Sequence, residues 1–199
     1  MKEFLILVLF ALMSFPAKSA KEFDYTYKGQ SLLYEVLDEN TKTCEVHRSH
    51  YRTGEIIIPE KAIDELGNVY RVTKIGDNAF CYNDGVTSVH IPNSISIIGE
   101  SAFESCRGLV SVNMGDSIVS IGKDAFFCCL SLVSVNISPS VKEIGGSAFR
   151  SCESLPTISI PSSVKTIGRD AFSGCENLTS VRLPDSISKI ETQLFENCY

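Results

Sequence analysis

The chain has 199 residues, 44% of them hydrophobic and 21% charged, with a formal net charge of −6. This composition supports one domain with a buried core and excludes wholesale disorder. An acidic chain with no run of five basic residues also argues against a nucleic-acid or anionic-membrane partner.

The N-terminus opens with Lys2 and then runs apolar from Phe4 to Phe15. That run is too short for a bilayer, which takes ~20 residues, and it matches the apolar centre of a secretory leader of ~7–15 residues. Ala17 and Ser19 place small residues at −3 and −1, so cleavage is expected after Ser19 and residues 1–19 are expected to be a signal peptide. Losing Lys2, Lys18 and Glu3 leaves 16 basic and 23 acidic residues, a charge of −7. The chain is expected to be secreted or at the cell surface, with no membrane span.

Residues 20–68 do not repeat and are expected to form a β-rich N-terminal cap. Phe23–Tyr27, Leu32–Leu37, Thr43–Val46 and Glu55–Ile58 alternate as strands do. Lys28-Gly29 and Asp38-Glu39-Asn40 carry hairpin-turn chemistry. The step from Ile58 to Ile75 exceeds that from Ile91 to Ile98 by ten residues, which places a loop or hairpin around Asp64–Asn68. A cap of this kind would cover the unpaired strand edges at one end of a repeat stack.

From residue 69 to 199 the sequence repeats every 23 residues, in about five full copies and a divergent terminal one. Ile75-Gly76, Ile98-Gly99, Ile121-Gly122, Ile144-Gly145 and Ile167-Gly168 mark one phase, with Ile190-Glu191 last. Phe80, Phe103, Phe126, Phe149, Phe172 and Phe195 mark a second, each preceded by Ala or, at 194, Leu. Cys106, Cys129, Cys152, Cys175 and Cys198 mark a third. Leu109-x-x-Val112-x-Met114 and its counterparts supply a short strand whose alternate residues point inward. Pro92, Pro161 and Pro184 end that strand, because proline has no N–H to give the ladder. A second apolar pair follows, Ile95 and Ile98 in the first copy. Small Ala beside large Phe lets the rings stack as a spine, and stacking of coils closes a core that no single coil can close.

The unit C-x-x-L-x-x-V-x-I-P-x-S-V-x-x-I-G-x-x-A-F resembles the BspA-like (Treponema-type) leucine-rich repeats. The resemblance is strong over 69–199 and weaker back to Glu55–Pro59, which looks like that family's entry coil. Departures are Gly115 and Ser138 where proline is usual, Gly146 beside Gly145, and Glu191 in place of glycine. The fold class expected is therefore an α/β-type solenoid, mostly β, stacked as a curved array. The resemblance also implies a surface protein associated with adhesion to host or neighbouring cells.

At Tyr199 the chain stops before the next strand would begin. Three readings stay open: the divergent last coil is cap enough, the repeats continue in a longer protein, or the edge pairs with a partner, including a second copy.

Parallel side chains on stacked coils stay ~4.7–4.9 Å apart, farther than the ~3.5–4.5 Å between Cβ atoms of a disulfide. The five cysteines in phase are therefore expected to be buried thiols that cap loop backbone groups. Cys44, Cys81 and Cys128 stand outside that ladder, and pairing of Cys81 with Cys106 or of Cys128 with Cys152 is left open.

No sequence pattern points to catalysis, a cofactor or a metal. His47, His50 and His90 are the only histidines, and Cys44-x-x-His47-x-x-His50 offers three ligands where structural zinc takes four. These residues read better as part of an exposed hairpin. The remaining candidate is a surface. The outward strand residues are Ser88 and His90, Ser111 and Asn113, Ser134 and Asn136, Thr157 and Ser159, and Ser180 and Arg182. In a solenoid they stack into two polar rows, which either bind a protein or peptide or simply hydrogen-bond one another and water. The face has no Trp or Tyr, so sugar stacking is disfavoured. Val110 and Val133 flank the rows, and Phe127 is either an exposed anchor or folded back on its own loop.

Overall fold

The computed structural model describes residues 22–49, 52–187 and 190–199. The expected signal peptide at 1–19, its cleavage point and His50 lie outside the described residues. The described residues contain strands and turns and no α-helix.

Segments of period-two alternation between residues 22 and 57 form strands β1 (Glu22–Tyr27), β2 (Gln30–Asp38), β3 (Thr43–Val46) and β4 (Gly54–Ile57). Tyr27 pairs with Gln30 across a two-residue turn. There Lys28 and Gly29 both take positive φ, the turn that matches the right-handed twist of a hairpin. β2 then pairs antiparallel with β3, and β3 lies parallel to β6 (Val69–Ile75). The ten additional residues form a hairpin of β5 (Lys61–Ile63) with β6. Asp64 closes it: its carboxylate accepts hydrogen bonds from the backbone N–H groups of Leu66 and Asn68.

Beyond β6 the chain coils. Each coil adds one short strand to each of two sheets. The first sheet runs β1-β2-β3-β6-β8-β10-β12-β14, where β8 is Ile97–Ile98, β10 Ser120–Ile121, β12 Glu143–Ile144 and β14 Thr166–Ile167. The second runs from β4 through β7 (Val86–His90) and β9 (Ser111–Asn113) to β11 (Ser134–Asn136). Its line is continued by β13 (Thr157–Ser159) and β15 (Ser180–Arg182), which pair with each other. Pro156 accounts for the break between β11 and β13. The residues at its phase, Val110 and Val133, each donate an N–H to the preceding coil, and proline has none to donate.

The Gly-x-x-Ala-Phe segment closes each coil as a third hydrogen-bonded wall. The N–H groups of Asn78, Phe80 and Tyr82 donate to the carbonyls of Glu100, Ala102 and Glu104 one coil on, at 2.8–2.9 Å. Intervening residues reverse the chain because two positions per coil are left-handed. Asn78, Ser101, Asp124, Ser147, Asp170 and Gln193 hold one, with φ of 52–64°. Tyr82, Ser105, Cys128, Ser151, Gly174 and Asn197 hold the other.

The core lies between these three walls. Phe80, Phe103, Phe126, Phe149 and Phe172 are fully buried. With the partly buried Phe195 they stack with centroids 5.1–5.8 Å apart and planes within 12° of parallel, the offset geometry that aromatic rings favour. The glycine phase sets how closely coils approach. A Cβ on Gly122 would lie 2.6 Å from the Gly99 carbonyl, and one on Gly168 would lie 2.3 Å from the Gly146 nitrogen. Glu191 carries such a Cβ, and the ring spacing is widest, 5.8 Å, at that last coil.

Candidate binding face and its surroundings

On β7, β9, β11, β13 and β15 the period of two turns Val89, Val112 and Ile158 into the core. The alternate residues point outward. His90, Asn113, Ser134, Asn136, Thr157, Ser159, Ser180 and Arg182 are exposed, and Ser88 and Ser111 are half-buried. Parallel register aligns Ser88 with Ser111 and Ser134, and His90 with Asn113 and Asn136. The two polar rows expected from the sequence therefore lie along one line of strands, across the four-stranded sheet and its two-stranded continuation β13–β15. Among the described residues one side-chain hydrogen bond joins their members, Asn113 Nδ2 to His90 Nδ1 at 3.3 Å. The amides and hydroxyls of the other members are not committed to one another across the rows. Val110 and Val133 are exposed beside them.

Two shallow grooves lie where these strands pass into the following turn. One, of about 490 Å³, is lined by Ser159, Pro161, Arg182, Pro184 and Asp185 among others. The other, of about 350 Å³, is bordered by Glu60, His90, Asn93, Asn113 and Asp116. Both present polar and charged groups, which the outward strand residues alone did not reveal.

Phe127 is half-buried, and the Arg150 guanidinium of the next coil sits over its ring at 5.7 Å. It is thus partly covered rather than an open anchor.

All eight cysteines are free thiols. Each cysteine of the ladder donates to a Phe carbonyl of the preceding coil: Cys106 to Phe80 at 3.0 Å, Cys129 to Phe103, Cys152 to Phe126, Cys175 to Phe149 and Cys198 to Phe172. Burial holds the thiols neutral. It pushes Cys106 and Cys175 up to about 12, and Cys129 and Cys152 well above the ordinary value. Cys198 is less buried than the rest of the ladder.

The expectation of an exposed hairpin for Cys44 and His47 needs correction. Cys44 lies on β3 and His47 directly follows that strand, an odd offset along extended backbone that sends the two side chains opposite ways. Cys44 is buried in the core, its thiol pushed up to about 12 by desolvation. His47 is half-buried on the other face, beside Glu22, Glu35 and Glu45.

The repeat geometry also decides kinship. The BspA type leucine rich repeat region matches residues 73–199 in six copies. The chain belongs to the BspA-type leucine-rich repeat family. It is similar to the crystal structure of a leucine-rich repeat protein from Bacteroides ovatus, with 35% identity and a TM-score of 0.78 over 87% of this chain and 45% of that one. A leucine-rich repeat protein of Treponema pallidum is 30% identical, with a TM-score of 0.67 over 77% of this chain and 69% of that one. The pneumococcal vaccine antigen PcpA, 23% identical with a TM-score of 0.55 over 78% of this chain and 49% of that one, shares the fold. The BspA-type chain thus spans less than half the length of the Bacteroides protein. No curated protein matches it in sequence. Among the described residues no helix is long and apolar enough to cross a membrane.

Proposed function

We propose that this chain is an exported binding module whose polar strand face engages a protein or peptide, in adhesion to host or neighbouring cells. The observation that carries the reading is the largely exposed double row on β7, β9, β11, β13 and β15, with the His90–Asn113 pair the one side-chain bond across it among the described residues. Repeat arrays commonly bind through such extended faces. The apolar run from Phe4 with Ala17 and Ser19 behind it supports export. No role as an enzyme is proposed.

The test is saturable binding of the labelled chain to cell layers, compared with Asn113→Lys/Asn136→Lys. Both positions are exposed, so the variant should keep its melting temperature and lose at least tenfold in affinity. Unchanged affinity would overturn the reading.

A second reading, assembly through the C-terminal edge, is favoured by Ile190 and Tyr199, 61% and 86% exposed beside the incompletely buried Phe195. Tyr199→Lys would then dissolve a concentration-dependent oligomer and leave cell binding by the monomer untouched.

A further inference from the structure

We propose that the cleft between the β5–β6 hairpin and the turn after β7 binds a carboxylate, and that it anchors an acidic side chain of the protein engaged by the strand face. The partner rests on that face being the binding surface; the carboxylate site rests on the cleft alone. The cleft holds about 290 Å³ and is lined by Glu60, Lys61, Arg71, Asn93 and Ser94.

Its basic pair is set by register. Lys61 on β5 lies directly opposite Arg71 on β6. Their neighbours Ala62, Tyr70 and Val72 are buried, so both cations stand on the outer side of the hairpin. Like charges directly opposite one another destabilise a sheet. Among the described residues neither side chain has an ion pair or a hydrogen bond, in a chain that carries more acidic than basic residues.

An independent observation points to a ligand. Ser94 is 8% exposed, and its hydroxyl is buried without a hydrogen-bond partner. Ser163 and Ser186 occupy the same phase of later coils, and they donate to the carbonyls of Val141 and Val164, both at 2.7 Å. A buried donor left unmatched is costly. An anion in the cleft supplies the acceptor after one turn about the Cα–Cβ bond of Ser94. Asn93 adds a further donor: its Oδ1 accepts the Asp116 N–H at 2.8 Å, which leaves its Nδ2 group uncommitted among the described residues.

These donors select the ligand. The guanidinium fork matches a carboxylate through two parallel hydrogen bonds, while the ammonium, amide and hydroxyl each add one. Glu60 on the cleft wall offsets one of the two positive charges. The site therefore suits a single negative charge and disfavours a polyanion. Glu60 and Asn93 also border the groove that holds His90 and Asn113, so the cleft adjoins the first end of the polar rows. A segment lying along those rows has a route for an acidic side chain to Lys61 and Arg71.

The experiment follows amide shifts by NMR as acetyl-Gly-Asp-Gly-amide is titrated into the purified chain at fixed ionic strength. Acetyl-Gly-Asn-Gly-amide and sodium sulfate are the comparisons. The expected result is saturable shifts at Lys61, Arg71, Asn93 and Ser94 with the Asp peptide and none with the Asn peptide. Ser94→Ala should weaken Asp-peptide binding by about threefold without lowering the melting temperature. Lys61→Glu/Arg71→Glu should abolish peptide binding and weaken binding to cell layers by about tenfold. Should that variant fail to fold, Arg71→Gln alone gives the same comparison. Tighter binding of sulfate would assign the cleft to free oxyanions and overturn the proposal, as would equal shifts with the Asn peptide or undiminished binding in the variants. If Lys61→Glu/Arg71→Glu keeps cell binding while Asn113→Lys/Asn136→Lys loses it, the anchor is overturned and the strand face stands. If both keep it, the strand face fails and the anchoring role with it, and the peptide titration alone decides the carboxylate site.

Discussion

At the residue scale, the glycine phase shows how one atom sets the spacing of the stack. A Cβ on Gly122 would meet the Gly99 backbone at 2.6 Å on two atoms, neither of which can swing aside. Gly122→Ala is expected to destabilise by about 3 kcal/mol, the upper part of the overpacking range, measured as a drop in denaturation midpoint. Gly146, one residue beyond the phase, meets its nearest atom at 3.4 Å and has no positive φ. Gly146→Ala should be neutral or stabilise by about 0.5 kcal/mol, through the loss of freedom in the unfolded chain. The thiols make a second prediction. Desolvation raises Cys44, Cys106 and Cys175 from 9.0 to about 12 and Cys81 to about 11. Raised values favour the neutral form in the folded state, so their stabilisation is complete below pH 9 and is lost as pH rises from 9 towards 12. A denaturation series should show that loss, and thiol reagents at neutral pH should reach Cys128 and Cys198 before Cys106, Cys129, Cys152 and Cys175.

At the scale of elements, the β1–β2 hairpin is held by its turn as much as by its pairs. Lys28 has φ of 48° and Gly29 of 79°. Gly29→Ala puts a Cβ into a left-handed position and should cost about 1–2 kcal/mol. Lys28→Asn, a residue that suits this turn, should stabilise, and amide exchange of β1 reports both. What could be read in the sequence divides along the same lines. Period-two alternation marked β1 to β4 to within two residues, and the 23-residue phases marked the Phe and Cys ladders, because each rests on a side chain that repeats. The coil strands of the first sheet, β8, β10, β12 and β14, appeared only as an apolar pair. Two residues are too few to show a period, and the partner one coil away makes them strands. The left-handed positions were hidden for a related reason: Asn, Ser, Asp and Gln share no chemistry, and the chain reversal imposes the conformation. The grouping of Glu22, Glu35 and Glu45 around His47 needed the register of two hairpins, which no spacing in the sequence encodes. Cys44-x-x-His47 had a readable flaw, since an odd offset on a strand sends two side chains to opposite faces.

At the scale of the molecule, three walls of backbone hydrogen bonds enclose one stacked core, and what distinguishes the walls is what they show to solvent. The Gly-x-x-Ala-Phe wall spends its N–H groups on the next coil, while the strand wall from β7 to β15 adds a regular lattice of small polar groups. We therefore propose recognition at that lattice rather than at the ends of the stack. The most direct measurement places a photo-cross-linking residue at Asn136 on this face, at Thr166 on the opposite sheet, or at Tyr199 on the last coil, with the chain bound to cells. Adducts with a partner protein from position 136 and none from 166 or 199 are the predicted result. Adducts from 166 or 199 with none from 136 would contradict the assignment.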